Sequence, residues 1–172
     1  MKNLSVKEMV IFSLLGAIMF LSKQILEFLP NIHMLGMLTM LYTLVYRKKA
    51  LIPIYVFILL EGVFAGFSVW WIPYLYLWLI LWGVTMLLPQ NIPTKIAIPV
   101  YAGVCALHGL LYGTMYAPFQ ALYMGLNLKS TIAWIIAGLP WDGVHALGNL
   151  AFGTMIVPFT KLLKKLNNTA FF

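Results

Sequence analysis

Asp142, His145 and Asn149 stand close together inside the apolar phrase GLPWDGVHALGN, residues 138–149. An aspartate accepts hydrogen bonds or holds a cation, a histidine donates and accepts at two ring nitrogens, and an asparagine does both through one amide. At about 100° per residue, Gly138, Asp142, His145 and Asn149 fall within an arc of roughly 60° on a helix. An ionisable group deep in lipid costs several kcal/mol unless it is paired or hydrated, so this face is expected to point into a helix bundle or a cavity. Pro140 removes a backbone donor, and the glycines leave room for a ligand to meet freed carbonyls. Two uses of the face stay open: an i,i+3 pair of Asp142 with His145 that locks helices together, or a ligand site.

Glu61 lies about ten residues beyond the basic cluster Arg47, Lys48, Lys49 and so about 15 Å along a helix. It needs a partner, for which His145, a protonated carboxyl or a water-filled cavity would serve. Glu27 has Lys23 one turn before it, which predicts an ion pair near a helix end. Trp71, Tyr74, Trp78 and Trp82 recur every three or four residues and predict one aromatic stripe. Its outer members suit interface anchoring; Tyr74 and Trp78, deeper, suit a flat apolar wall or core packing. The turn LPNIH brings Asn31 and His33 beside a helix break. A later stretch adds Tyr116, Gln120, Tyr123, Met124 and Asn127 to a polar and aromatic vestibule. His33, His108 and His145 are too scattered in sequence to identify a metal site, and no metal ligand set is assigned.

The elements that must position these residues follow from composition. Apolar residues make up 63% of the 172 positions and charged residues 9%, a balance of a bilayer protein. The N-terminal run, although basic at its start, lacks a small-residue cleavage site and reads as a retained first helix. Six apolar spans emerge, at about 9–29, 32–46, 51–68, 70–88, 96–117 and 131–159. The expected architecture is an all-α integral membrane protein, a single six-transmembrane-helix bundle over residues 1–172. Nine basic residues (Lys2, Lys7, Arg47 to Lys49, Lys95, Lys161, Lys164 and Lys165) fall on one side of these spans, against Lys129 and Lys23 on the other. The excess predicts that both termini are cytoplasmic. The stretch 118–129 is then an outward loop.

Other functions are disfavoured. A net charge of +7 dispersed at span ends is a topology signal and gives no basis for nucleic-acid recognition. The lone Cys105 rules out an internal disulfide framework. No GxxxxGK[ST], HExxH or GxSxG motif is present, so any energy source must lie in another chain.

With the span pattern, the small-xxx-small element of the first helix and the phrase GLPWDGVHALGN in view, the whole chain resembles the S-components of energy-coupling factor (ECF) transporters, the membrane subunits that capture vitamins for bacteria and archaea. LPNIH followed by LYTLVYRKKAL is similar to the cobalamin-specific branch. The resemblance implies a non-enzymatic binding subunit of a prokaryotic plasma membrane. Its partners would be a transmembrane scaffold protein and two cytoplasmic ATPases; its cargo would be cobalamin, with no intrinsic cofactor. Ser13, Gly16 and Ala17 stand where the family has an alanine-xxx-alanine docking element, with serine for the first alanine. The expected substrate-binding set is Asn31, His33, Glu61, Tyr74, Trp78, Gln120, Trp141, Asp142, His145 and Asn149. The rivals are an S-component for a smaller vitamin such as pyridoxine, a membrane enzyme using Glu61, Asp142 and His145 as acid and base, and a non-transporting assembly partner.

Overall fold

The computed structural model describes residues 4–170, all helix and connections, with no strand among the described residues. Lys2, one of the cations counted above, lies outside them.

Helix α1, Val6–Ile25, begins in a reciprocal cap: Ser5 Oγ accepts from the Glu8 N–H at 3.2 Å and the Glu8 carboxylate accepts from the Ser5 N–H at 3.0 Å. Helix α2, Leu35–Tyr46, is the hub of the bundle. Every residue from Leu35 to Thr43 is buried, which is why its sequence is apolar all round and carries no charge. Arg47, with φ 54°, turns the chain through a short 3-10 segment into α3, Leu51–Ala65. The turn is braced at both ends of the arginine: its guanidinium donates to the Met86 carbonyl at 2.8 Å and its carbonyl accepts the Trp82 indole N–H at 3.2 Å.

Helix α4, Tyr74–Leu87, is followed by α5, Thr94–Leu110, and after a break at Leu111 by α6, Tyr112–Met124. Gly125, in the left-handed region at φ 64°, ends α6 and Asn127 caps α7, Leu128–Gly153, by accepting from Ser130 N–H at 2.9 Å. The stretch 118–129, expected as a loop, is therefore mostly helix, and the connection shrinks to three residues, 125–127. At the end of α7 the Thr154 hydroxyl bonds back to the Ala151 carbonyl at 2.7 Å, and the chain bends by 49° into α8, Ile156–Ala170. The expected span 131–159 thus stops at 153. In α8, Ile156 and Val157 are buried while Lys161, Lys164 and Lys165 are exposed.

Helices α5 and α7 run antiparallel with almost no side chain between them. A Cβ on Gly153 would sit 2.7 Å from Ala102 Cα and one on Gly109 would sit 3.0 Å from the Ala146 nitrogen; at the start of α6, one on Gly113 would sit 2.5 Å from Asp142 Oδ2. Small residues spaced along both helices let the backbones approach. Gly16 of α1 has the same use against α3, where a Cβ would meet Val56 Cγ1 at 2.5 Å. That removes Gly16 from any free docking surface; Ser13 is exposed and Ala17 half-buried.

Among the described residues three helical stretches are long and apolar enough to cross a membrane: Val6–Ile25, Val69–Leu87 and Thr94–Met124. Taken together as one span, the bent pair α7 and α8 passes the same test. At 12 and 15 residues, α2 and α3 are shorter than a full crossing needs. One end of the bundle gathers the start of α1, the turn after α2, the start of α5 and α8. The opposite end gathers residues 26–33, Tyr74, α6 and the first half of α7.

Candidate functional site

Two recesses open at the end that holds residues 26–33. The first, about 220 Å³, is bounded by the end of α1 and the following turn, and its polar lining includes Lys23, Asn31, His33, Tyr74, Tyr112 and His145. The second, about 290 Å³, lies between α6 and α7; Tyr116, Gln120, Trp134, Trp141 and Asp142 line it beside the same Asn31, Tyr112 and His145. Those three shared residues are the partition. Asn31 holds its place at φ 59°, a left-handed conformation that asparagine tolerates better than most residues.

Beneath the partition the three histidines that sequence spacing scattered are drawn together. His33 and His145 stack edge to face with ring centroids 4.6 Å apart, and Tyr112 lies 5.0 Å from His145. Trp78, fully buried, is the floor: His33, His108 and Tyr112 lie 6.0, 5.7 and 6.3 Å from it. His108 Nε2 lies 3.1 Å from the Leu77 carbonyl and donates to it, so its Nδ1 carries the lone pair. Among the described residues, His33 Nδ1, His108 Nδ1, His145 Nε2 and Trp78 Nε1 are buried without a hydrogen-bond partner. Each such atom typically costs about 1–3 kcal/mol, and their concentration at one place marks the site. No group of three His, Cys, Asp or Glu among the described residues could hold a metal ion.

Asp142 does not pair with His145. Its carboxylate accepts from the Gly113 N–H, at 3.1 and 3.2 Å to its two oxygens. Gly113 is the second residue of α6, so the carboxylate caps the positive end of a helix that the Leu111 break exposes. That contact is what makes an aspartate tolerable in so apolar a phrase, and it still leaves Asp142 on the wall of the second recess.

Three residues of the expected binding set border neither recess. Asn149 donates to the Cys105 carbonyl at 3.0 Å, tying α7 to α5, and lines neither recess. Trp78 is floor and core, not an exposed wall. Glu61, fully buried, pairs with Lys23 at 2.6 Å and accepts from the Gln24 amide at 3.2 Å, so it clamps α3 to α1. Lys23 thereby goes to Glu61 instead of the expected Glu27, which is exposed. Glu61 lines neither recess, whereas His145 lines both and Asp142 the second.

Asn31, His33, Tyr74, Gln120, Trp141, Asp142 and His145 all border the recesses. Trp71 and Trp82, expected as interface anchors, are half-buried and donate their indole N–H groups to the Ile58 and Arg47 carbonyls. Tyr112 and Trp134 belong to the site but were missing from the expected set. Both had a signal: His108, Tyr112 and Tyr116 recur every four residues, and Trp134 extends the Gly138 and Asp142 face by one turn. Tyr116 and Trp134 stack at 6.0 Å and 26° across the second recess. No protein-family model matches the chain, and neither a curated protein nor a solved structure is significantly similar to it.

Proposed function

We propose that this chain is a non-enzymatic, membrane-embedded capture subunit of the S-component kind, working in a prokaryotic plasma membrane with a scaffold protein and two ATPases supplied by other chains. In this reading the chain crosses six times. Its lysine-rich end, with both termini, faces the cytoplasm, and the paired recesses face outward. The short helices α2 and α3 suit such a bundle because protein, not lipid, surrounds α2. The observation that carries the reading is the cluster of unpartnered buried ring nitrogens beside an aromatic, open recess. A ligand that meets the outermost of them, His33 Nδ1 and His145 Nε2, supplies the missing hydrogen bonds.

Recess size favours a small cargo. Drug-sized ligands occupy pockets of about 300–1,000 Å³, and the recesses measure about 220 and 290 Å³. A one- or two-ring vitamin such as pyridoxine fits either, with its ring against Tyr116 and Trp134. Cobalamin, the cargo of the branch the sequence resembles, is far larger and requires Asn31 to withdraw so that the two recesses join. The second recess carries a carboxylate and no cation, which disfavours an anionic ring there. Calorimetric titration of the detergent-solubilised chain with pyridoxine, thiamine and cobalamin tests this directly. Saturable binding of one of them, weakened about two- to tenfold by Trp134→Ala, supports the site; failure of all three to bind folded protein removes it.

A further inference from the structure

At the opposite end of the molecule a third recess, of about 200 Å³, lies where α8 folds back over the start of α5. Its walls carry Thr160, Lys161 and Lys164 from α8, Thr94 from the first turn of α5, and Gln90 and Asn91 from the connection before it. None of its lining residues is an acid. Lys161 Nζ donates to Thr94 Oγ1 at 3.3 Å, which holds the ammonium beside another lining residue, and the Thr160 hydroxyl is buried without a partner among the described residues. Amide, hydroxyl and ammonium donors thus converge on one small space from three segments of the chain. We propose that this recess binds a phosphate-bearing anion, held by Lys161 and Lys164 and by the Thr160 hydroxyl.

The chemistry follows from the donor set. A tetrahedral phosphate oxygen cluster takes several donors at once, and lysines serve it as point charges. The first turn of α5 adds the positive end of a 17-residue helix on the same side. Leu44, Ile92, Ala97, Tyr101 and Val157 line the remaining wall. An apolar wall beside a phosphate pocket suits a phospholipid, whose headgroup enters the recess while its chains run along α8. A free phosphate would use only the polar half.

The test is the thermal midpoint of the full chain in an uncharged detergent, titrated separately with short-chain phosphatidylglycerol, phosphatidylcholine of the same chain length and inorganic phosphate. Each lysine at a charged interface is worth about fivefold in affinity, so Lys161→Gln with Lys164→Gln is expected to weaken binding roughly twenty- to thirtyfold. Lys48→Gln, an exposed lysine of the same end outside the recess, is the control and is expected to leave binding unchanged. A phosphatidylglycerol response lost in the double variant and kept in the control establishes a lipid site. The same pattern with inorganic phosphate establishes a free-anion site. No response to either, a response that survives loss of both lysines, or an equal response to phosphatidylcholine overturns the proposal.

Discussion

Lys23→Met probes how the recess end is held together, because it strands a charge at a place where the structure leaves it no alternative. Lys23 and Glu61 lie 2.6 Å apart; the glutamate side chain is 0% exposed and the lysine 25%. At an effective dielectric of about 20, two unit charges at that distance attract by about 6 kcal/mol, most of which offsets the cost of removing them from water. The net value of the intact pair is therefore small. Breaking it is costly in one direction only. Lys23→Met leaves a buried carboxylate with the Gln24 amide as its one remaining donor among the described residues, an expected loss of about 3–5 kcal/mol. Glu61→Gln leaves a lysine whose stem can carry its charge to solvent, an expected loss of about 1 kcal/mol. Replacing both, Lys23→Met with Glu61→Leu, is expected to restore stability to within about 1 kcal/mol of the parent. For a chain of this length 1 kcal/mol moves the thermal midpoint by about 2–4 °C. Tryptophan fluorescence melts in detergent should then show a fall of about 6–20 °C for the lysine variant and about 2–4 °C for the glutamate variant. Equal falls for the two single variants, or a double variant as unstable as Lys23→Met, would refute the assignment of Glu61 as a clamp that needs its lysine.

The α5 and α7 contact makes a signed prediction: Gly153→Ala places a Cβ 2.7 Å from the Ala102 backbone and should lose about 1–3 kcal/mol, whereas Gly143→Ala on the same helix meets open space and should gain about 0.5–1 kcal/mol. The same melts check both, and matching signs would count against the close approach. Asp142→Asn keeps an acceptor for the Gly113 N–H and should cost under about 1 kcal/mol, while Asp142→Leu strands that N–H and should cost about 1–3 kcal/mol. Asn31→Gly should be neutral and Asn31→Val should lose about 1–2 kcal/mol, since φ 59° suits glycine and strains a β-branched residue. Chemical-denaturation midpoints would separate this pair.

Several assignments were legible because they depend on local spacing. The apolar runs located α1 to α5 and most of α7, the start of α1, Lys49, the start of α5 and the lysines of α8 lie at one end of the bundle, and the shared face of Asp142 and His145 followed from helical periodicity. Helix breaks were less legible. Leu111 and Thr154 interrupt runs whose composition is uniformly apolar, so hydropathy alone merged α5 with its continuation and α7 with α8.

Partners across the fold were beyond the reach of the sequence. Glu61 and Lys23 are 38 positions apart, and Asp142 and Gly113 are 29 apart. No periodicity links such residues, and each carboxylate had other candidates of suitable chemistry. Which one it meets depends on how the helices are laid side by side. The same holds for the histidines: residue types said that they could bind or coordinate, but only the packing of the turn at Asn31 against α5, α6 and α7 gathered their rings around Trp78. Amino-acid order set most of the helices and their apolar faces, because those are properties of one segment in one solvent. The tertiary structure decided which polar groups were satisfied and which were left facing a recess, because hydrogen-bond satisfaction is a property of neighbours.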